Sequence, residues 1–153
     1  MLTVRRPVYL WSALALLVAS LVHALVWFAA RLFAAQAAHG LDEAMRQMGQ
    51  SVFWMVCALA LWLIQTPRSR VTAMAQVLGC ALLVCVVGSV MAFNNLTSTQ
   101  NFEFSLNNML IFTVVAVPMI ALQLILALPS AALFQQLLLM HPPRPAPEAQ
   151  VAG

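Results

Sequence analysis

Charge is missing from this chain over four long stretches. There are 24 uncharged residues between Arg6 and Arg31, 21 between Arg46 and Arg68, 32 between Arg70 and Glu103, and 40 between Glu103 and Arg144. A bilayer core is about 30 Å thick, and a helix rising about 1.5 Å per residue crosses it in roughly 20 residues. Each stretch therefore holds one span. The polar run Asn94 to Asn101 shortens the third to about Val71–Phe93. Pro129 interrupts the fourth and leaves too few residues before His141 for another crossing. The expected fold is all-α: a polytopic membrane protein with four transmembrane helices in two hairpins. The spans fall at about 8–30, 48–66, 71–93 and 106–128. A short interfacial helix over 130–140 completes a bundle ending near residue 141, and 142–153 forms a flexible Pro-rich tail.

The composition agrees with lipid as the solvent. Of the residues, 63% are hydrophobic and 7% are charged, against about a quarter charged in an ordinary soluble domain. A water-soluble enzyme and a disordered chain are excluded. The seven basic residues are all arginine and form no stripe, so the net charge of +3 does not point to a nucleic-acid partner. Four crossings put Arg5, Arg6, Arg68, Arg70 and Arg144 on one side and Arg31 and Arg46 on the other. The excess marks the cytoplasmic face, so both termini are expected there, in a bacterial inner membrane. The apolar run Val8–Ala30 exceeds the 7–15-residue core of a secretory signal and reads as a retained span.

Local signals divide the spans. Pro7 suits a first helical position. The pair His39-Gly40 reads as a stop, with Gly40 in the left-handed cap. Asp42 and Glu43 then fall in the first turn of the second helix, where negative charge suits the helix dipole. Asn94, Asn95, Asn107 and Asn108 flank the outer polar loop as helix caps, and Pro118 should kink the fourth span.

Chemistry has little to work with. There is no Walker sequence, no GxSxG, no HExxH and no acidic residue inside a span, so a non-catalytic chain without metal or cofactor is the expectation. His23 is the one strongly ionisable intramembrane group, and it shares a helix face with Ser20 and Trp27. It could relay a proton or ligate haem. A two-histidine haem would need a second ligand at its depth, and His39 is 16 residues further on, about 24 Å along a helix. Thr113 and Gln123 are the polar residues of the fourth span, on either side of Pro118; with Ser20 and His23 they outline a possible solute path in a small homo-oligomeric channel or carrier. Met45, Met48 and Met55, with His39 nearby, are a weak Cu(I) pattern. Cys80 and Cys85 lie about 140° apart around a helix and do not converge on a metal.

The third span carries a packing signature. Ala75 and Gly79, then Ala81, Cys85 and Ser89, then Gly88 and Ala92, follow one another at intervals of four, which lets helix backbones approach closely. Such faces serve the bundle itself or a partner helix, from another membrane protein or from a second copy. Arg31, Asp42, Glu43 and Arg46 form a possible extracytoplasmic docking cluster, with Asp42 and Arg46 spaced as an i, i+4 ion pair. The leading expectation is an accessory, scaffold or regulatory subunit of a larger membrane assembly.

Overall fold

The structure, a computed structural model, describes residues 6–99 and 105–140. The tail 142–153, Glu103 and the centre of the outer loop lie outside the described residues. Four helices account for nearly all of the rest: α1 (Arg6–Phe33), α2 (Gly40–Ile64), α3 (Arg70–Thr99) and α4 (Leu106–Met140), with one 3-10 turn, Ala37–His39, between α1 and α2. All four are long and apolar enough to cross a membrane. Helix α1 packs on α2 and α4, and α3 packs on α2 and α4, so the four form a ring in chain order. The outside of the ring is covered with large apolar side chains, among them Leu10, Leu25, Ile64, Val71, Val90 and Val114. Water would not tolerate such a surface; a bilayer supplies the matching solvent. The architecture is that of a multi-pass helical membrane protein.

Lipid tails are as apolar as leucine, so the inside of the ring is held by close packing rather than by hydrophobic exclusion. Each helix contributes small residues at helical spacing: Ala15 and Ala19 on α1, Ala44 and Ala58 on α2, Ala73 and Ala81 on α3, and Ala127 and Ala131 on α4. Trp54, Met55, Trp62, Val77, Phe134 and Leu138 fill the space these leave.

The α1 C-terminus departs from expectation. The left-handed residue is Ala35, at φ 55°, and no described glycine has positive φ. Gln36 N–H donates to Arg31 O at 3.0 Å and Ala35 N–H to Leu32 O at 3.1 Å. These two bonds form a Schellman closure with alanine in the place glycine usually takes. Gly40 instead starts α2 and is buried, its Cα facing Arg31 and Phe28. Hydroxyls cap the starts of the later helices. Ser69 Oγ accepts from Thr72 N–H at 3.1 Å, and Ser105 Oγ from Asn108 N–H at 3.2 Å. Helix α3 runs on through Asn94 and Asn95 to Thr99, past the expected end at Phe93.

The larger correction concerns α4. A break at Pro129 and a separate interfacial helix over 130–140 were expected, but the helix continues through both Pro118 and Pro129 to Met140. The segment beyond Pro129 is also the best-buried part of α4, with Ser130, Ala131, Phe134, Gln135 and Leu138 all turned into the ring. Proline removes one backbone hydrogen bond and costs about 3 kcal/mol in a helix interior. Ending the helix in lipid would leave several backbone groups unpaired at several kcal/mol each, and would forfeit the packing of Phe134 and Leu138. Continuation is the cheaper solution.

Two polar contacts fasten this end. Trp11 Nε1–H donates to Leu137 O at 3.0 Å, serving a carbonyl in the last turn of α4. Gln135 Nε2–H donates to Arg70 O at 3.1 Å, tying α4 to the start of α3. The opposite end of α4 is different: from Leu106 to Leu126 no residue is buried, and Phe112, Ala116 and Ile120 are among its half-buried positions. Phe93 and Phe112 meet there with ring centroids 4.8 Å apart.

Candidate functional site

Helical spacing on α1 and α2 brings one polar cluster inside the ring. Ser20, His23 and Trp27 follow at intervals of three and four and are 1%, 3% and 4% exposed. On α2, Glu43, Gln47 and Ser51 repeat at intervals of four and lead from the helix start to a buried position; Gln47 and Ser51 are fully enclosed. Helix α4 adds Ser130 because it does not stop at Pro129.

His23 lies where these three helices meet. Its Nδ1 is 3.3 Å from Ser130 Oγ. Ser130 Oγ is also 2.8 Å from Ala127 O, to which it donates. With its proton committed there, the hydroxyl accepts from Nδ1–H. Gln47, buried on α2, lies near the imidazole. Trp54 packs edge-on against the imidazole, with ring centroids 6.0 Å apart and planes at 87°. Ser20 Oγ–H points to Met55 Sδ at 3.7 Å.

From Gln47 the line continues outward. Gln47 Nε2–H donates to Glu43 Oε1 at 2.8 Å. Glu43 accepts two further bonds from Arg46, Nε to Oε2 at 3.1 Å and Nη2 to Oε1 at 2.7 Å. Arg46 has a side chain 67% exposed and Glu43 one 14% exposed. The polar line therefore runs from solvent near the α1–α2 connection to the interior. Arg31, two turns beyond His23 on α1, adds positive charge near Glu43 and bonds through Nη1 to Gln36 Oε1. The indole N–H of Trp27 is buried without a partner.

The residues singled out from sequence divide between this cluster and other places. Ser20 and His23 are in it. Gln123 is half-buried on α4, seven residues from Ser130. Thr113 is exposed and its hydroxyl donates to Met109 O at 2.8 Å. The group that reaches His23 from α4 is thus Ser130, not Gln123. The ion pair of Arg46 is with Glu43 at i, i+3, and not with the exposed Asp42. Met45 is exposed while Met55 is fully buried, so the copper pattern does not converge. Among the described residues no group of three or more His, Cys, Asp or Glu gathers as a metal site.

The small-residue stripes of α3 also divide. Ala81 and Cys85 continue an inward stripe that begins at Ala73 and Val77, with Ser89 half-buried above them. Ala75, Gly79, Gly88 and Ala92 face outward. Nothing lies within 4 Å of where a Cβ would stand on Gly79 or Gly88. Gly79 opens an apolar groove of about 260 Å³ between α3 and α4, walled by Leu78, Leu82, Leu124, Ile125 and Leu128.

Sequence reasoning missed Gln47, Ser51 and Ser130. The interval of four from Glu43 through Gln47 to Ser51 carried the signal for the first two. Ser130 was hidden by the assumption that Pro129 ends the helix.

Comparison with protein-family models, with curated proteins and with solved structures found no match to this chain.

Proposed function

We propose that this chain is a non-catalytic protein of the bacterial inner membrane, with both termini cytoplasmic, that serves as an accessory or scaffold subunit in a larger membrane assembly. One observation carries the reading. The most apolar 18-residue stretch of α4 has no buried residue, whereas a third of the corresponding stretch of α2 is buried. The most lipophilic helix of the bundle thus leaves most of its length outside the packed interior. The outward glycine Gly79 and the groove beside it supply the close-approach geometry that a further transmembrane helix uses.

The test is purification of tagged protein from its own membranes in mild detergent. A foreign subunit in fixed ratio is expected, and it should be lost in Gly79→Leu, a substitution with open space to enter. A monomer free of other proteins, or a partner still bound to Gly79→Leu, would count against the reading. A second reading, a small carrier working as a homo-oligomer, draws support from the enclosed polar line at His23. It predicts solute flux in proteoliposomes that His23→Ala alters; flux no greater than in empty vesicles would remove it.

A further inference from the structure

We propose that the Leu106 end of α4 is a contact surface for long acyl chains, so that the bundle favours a hydrocarbon layer thicker on its α4 side than on its α2 side. The inference does not depend on the subunit reading. Three features carry it.

The helices are held at a defined register. Gln135 Nε2–H donates to Arg70 O at 3.1 Å, and the Phe93 and Phe112 rings meet 4.8 Å apart. Phe93 lies 23 residues after Arg70, and Phe112 lies 23 residues before Gln135. Helices α3 and α4 therefore run side by side over about 34 Å, at about 1.5 Å per residue. Gln50 Nε2–H donates to Cys85 Sγ at 3.9 Å. That contact sets α2 against α3 at about 22 Å from the level of Arg70.

Measured from that level, the helices stop being apolar at different heights. On α2, Arg46 is one turn beyond Gln50, at about 28 Å, and it is bonded to Glu43. This matches the roughly 30 Å of an ordinary hydrocarbon core. Helix α3 turns polar at Asn94, at about 36 Å. Helix α4 has no charged residue between Leu106 and Met140. It stays apolar through Ile111 and Leu110 to Met109, at about 39 Å. The apolar height thus climbs by about 10 Å from α2 to α4.

The character of the high side suits lipid rather than protein. Leu106, Met109, Leu110, Ile111 and Val114 are all exposed. The Thr113 hydroxyl among them donates to Met109 O within its own helix, so its proton is not offered outward. From Leu106 to Val115 there is no Gly, Ala or Ser, and close approach of a further helix relies on such small residues. Fluid acyl chains fit against bulky aliphatic side chains without them. The Gly79 groove is a separate place, only about 13 Å from Arg70. A bilayer that fits α2 leaves the end of α4 among headgroups, and local thickening covers it.

Water-soluble maleimide labelling of Leu110→Cys tests this, with Cys57, Cys80 and Cys85 replaced. The chain is reconstituted in vesicles of dimyristoleoyl-, dioleoyl- or dierucoyl-phosphatidylcholine. The labelling rate should fall on the order of tenfold from the shortest acyl chain to the longest, as lipid rises over position 110. Labelling that is equally fast in all three bilayers would overturn the proposal. So would protection in all three, which would assign the surface to protein, a second copy included. The unmodified chain supplies a measurement that needs no variant to fold: its thermal midpoint should rise along the same lipid series. A midpoint that stays level or falls would also overturn the proposal.

Discussion

Ala35 holds a backbone conformation that suits another residue. A left-handed φ costs a non-glycine residue about 1–2 kcal/mol, and the Schellman bonds to Arg31 and Leu32 hold it there. Replacing Ala35 by Gly should raise the thermal midpoint of the purified protein, by an amount on the order of 0.5–1 kcal/mol after the greater freedom of glycine when unfolded is subtracted. A fall in the melting temperature would show that the methyl group matters more than the backbone. Glu43 and Arg46 sit at the other extreme: with the Arg46 side chain largely exposed, their ion pair should contribute about 1 kcal/mol or less. At this scale the sequence was half legible. His23, Ser20 and Trp27 share a face by simple periodicity. The left-handed position was not legible, because His39-Gly40 is the stronger turn signal and only the packing of Gly40 on Phe28 and Arg31 moves it into α2.

At the scale of the element, α4 shows how solvent changes the meaning of a residue. In water, Pro129-Ser130 after a long apolar run reads as an end. In lipid a helix end inside the bundle would expose carbonyls with no donors, so the helix absorbs its prolines and turns Phe134 and Leu138 inward. Pro129→Ala should therefore leave the fold intact or strengthen it. Ending the chain after Leu128 should abolish the bundle, since it removes Ser130, Phe134, Gln135 and Leu138 together. Helical circular dichroism combined with gel filtration would check both. A proline-to-alanine loss larger than about 2 kcal/mol would mean that a real bend at Pro129 is required. The packing faces show the same limit on reading from sequence. Intervals of four on α3 located small residues correctly, but spacing alone does not say which of several such faces points inward. Ala73 and Val77 settle it, and valine is not a small residue.

The whole molecule is a ring of four helices in which the buried part of α4 lies beyond Pro129. Cysteine labelling in a background with Cys57, Cys80 and Cys85 replaced would map this. Ala81→Cys, facing the ring interior, should resist a lipid-soluble maleimide. Gly88→Cys, with open space around it, should react in native membranes and in detergent alike. Gly79→Cys should be protected in native membranes and become reactive once a partner is stripped by harsher detergent. Equal reactivity of Gly79→Cys in both conditions would argue that only lipid covers the groove. The number of spans, the all-helical class and the membrane setting follow from charge placement alone, because an uncharged run of more than 20 residues has few other fates. The pairing of helices, and the concentration of α4 burial beyond Pro129, depend on side-chain shape across helices and leave no trace in a charge map.

The fastening of α4 at one end has a mechanical side. Trp11 on Leu137 O and Gln135 on Arg70 O act as a pivot, and Ser130 sits just beyond it on the long side. From Ser130 to Leu106 the helix is a rod of about 36 Å at about 1.5 Å per residue. A tilt of about 5° at the pivot therefore sweeps its tip through about 3 Å, while Ser130 itself moves by only tenths of an ångström. A small tilt at the fastened end is thus enlarged, by leverage alone, into a larger displacement at the far rim.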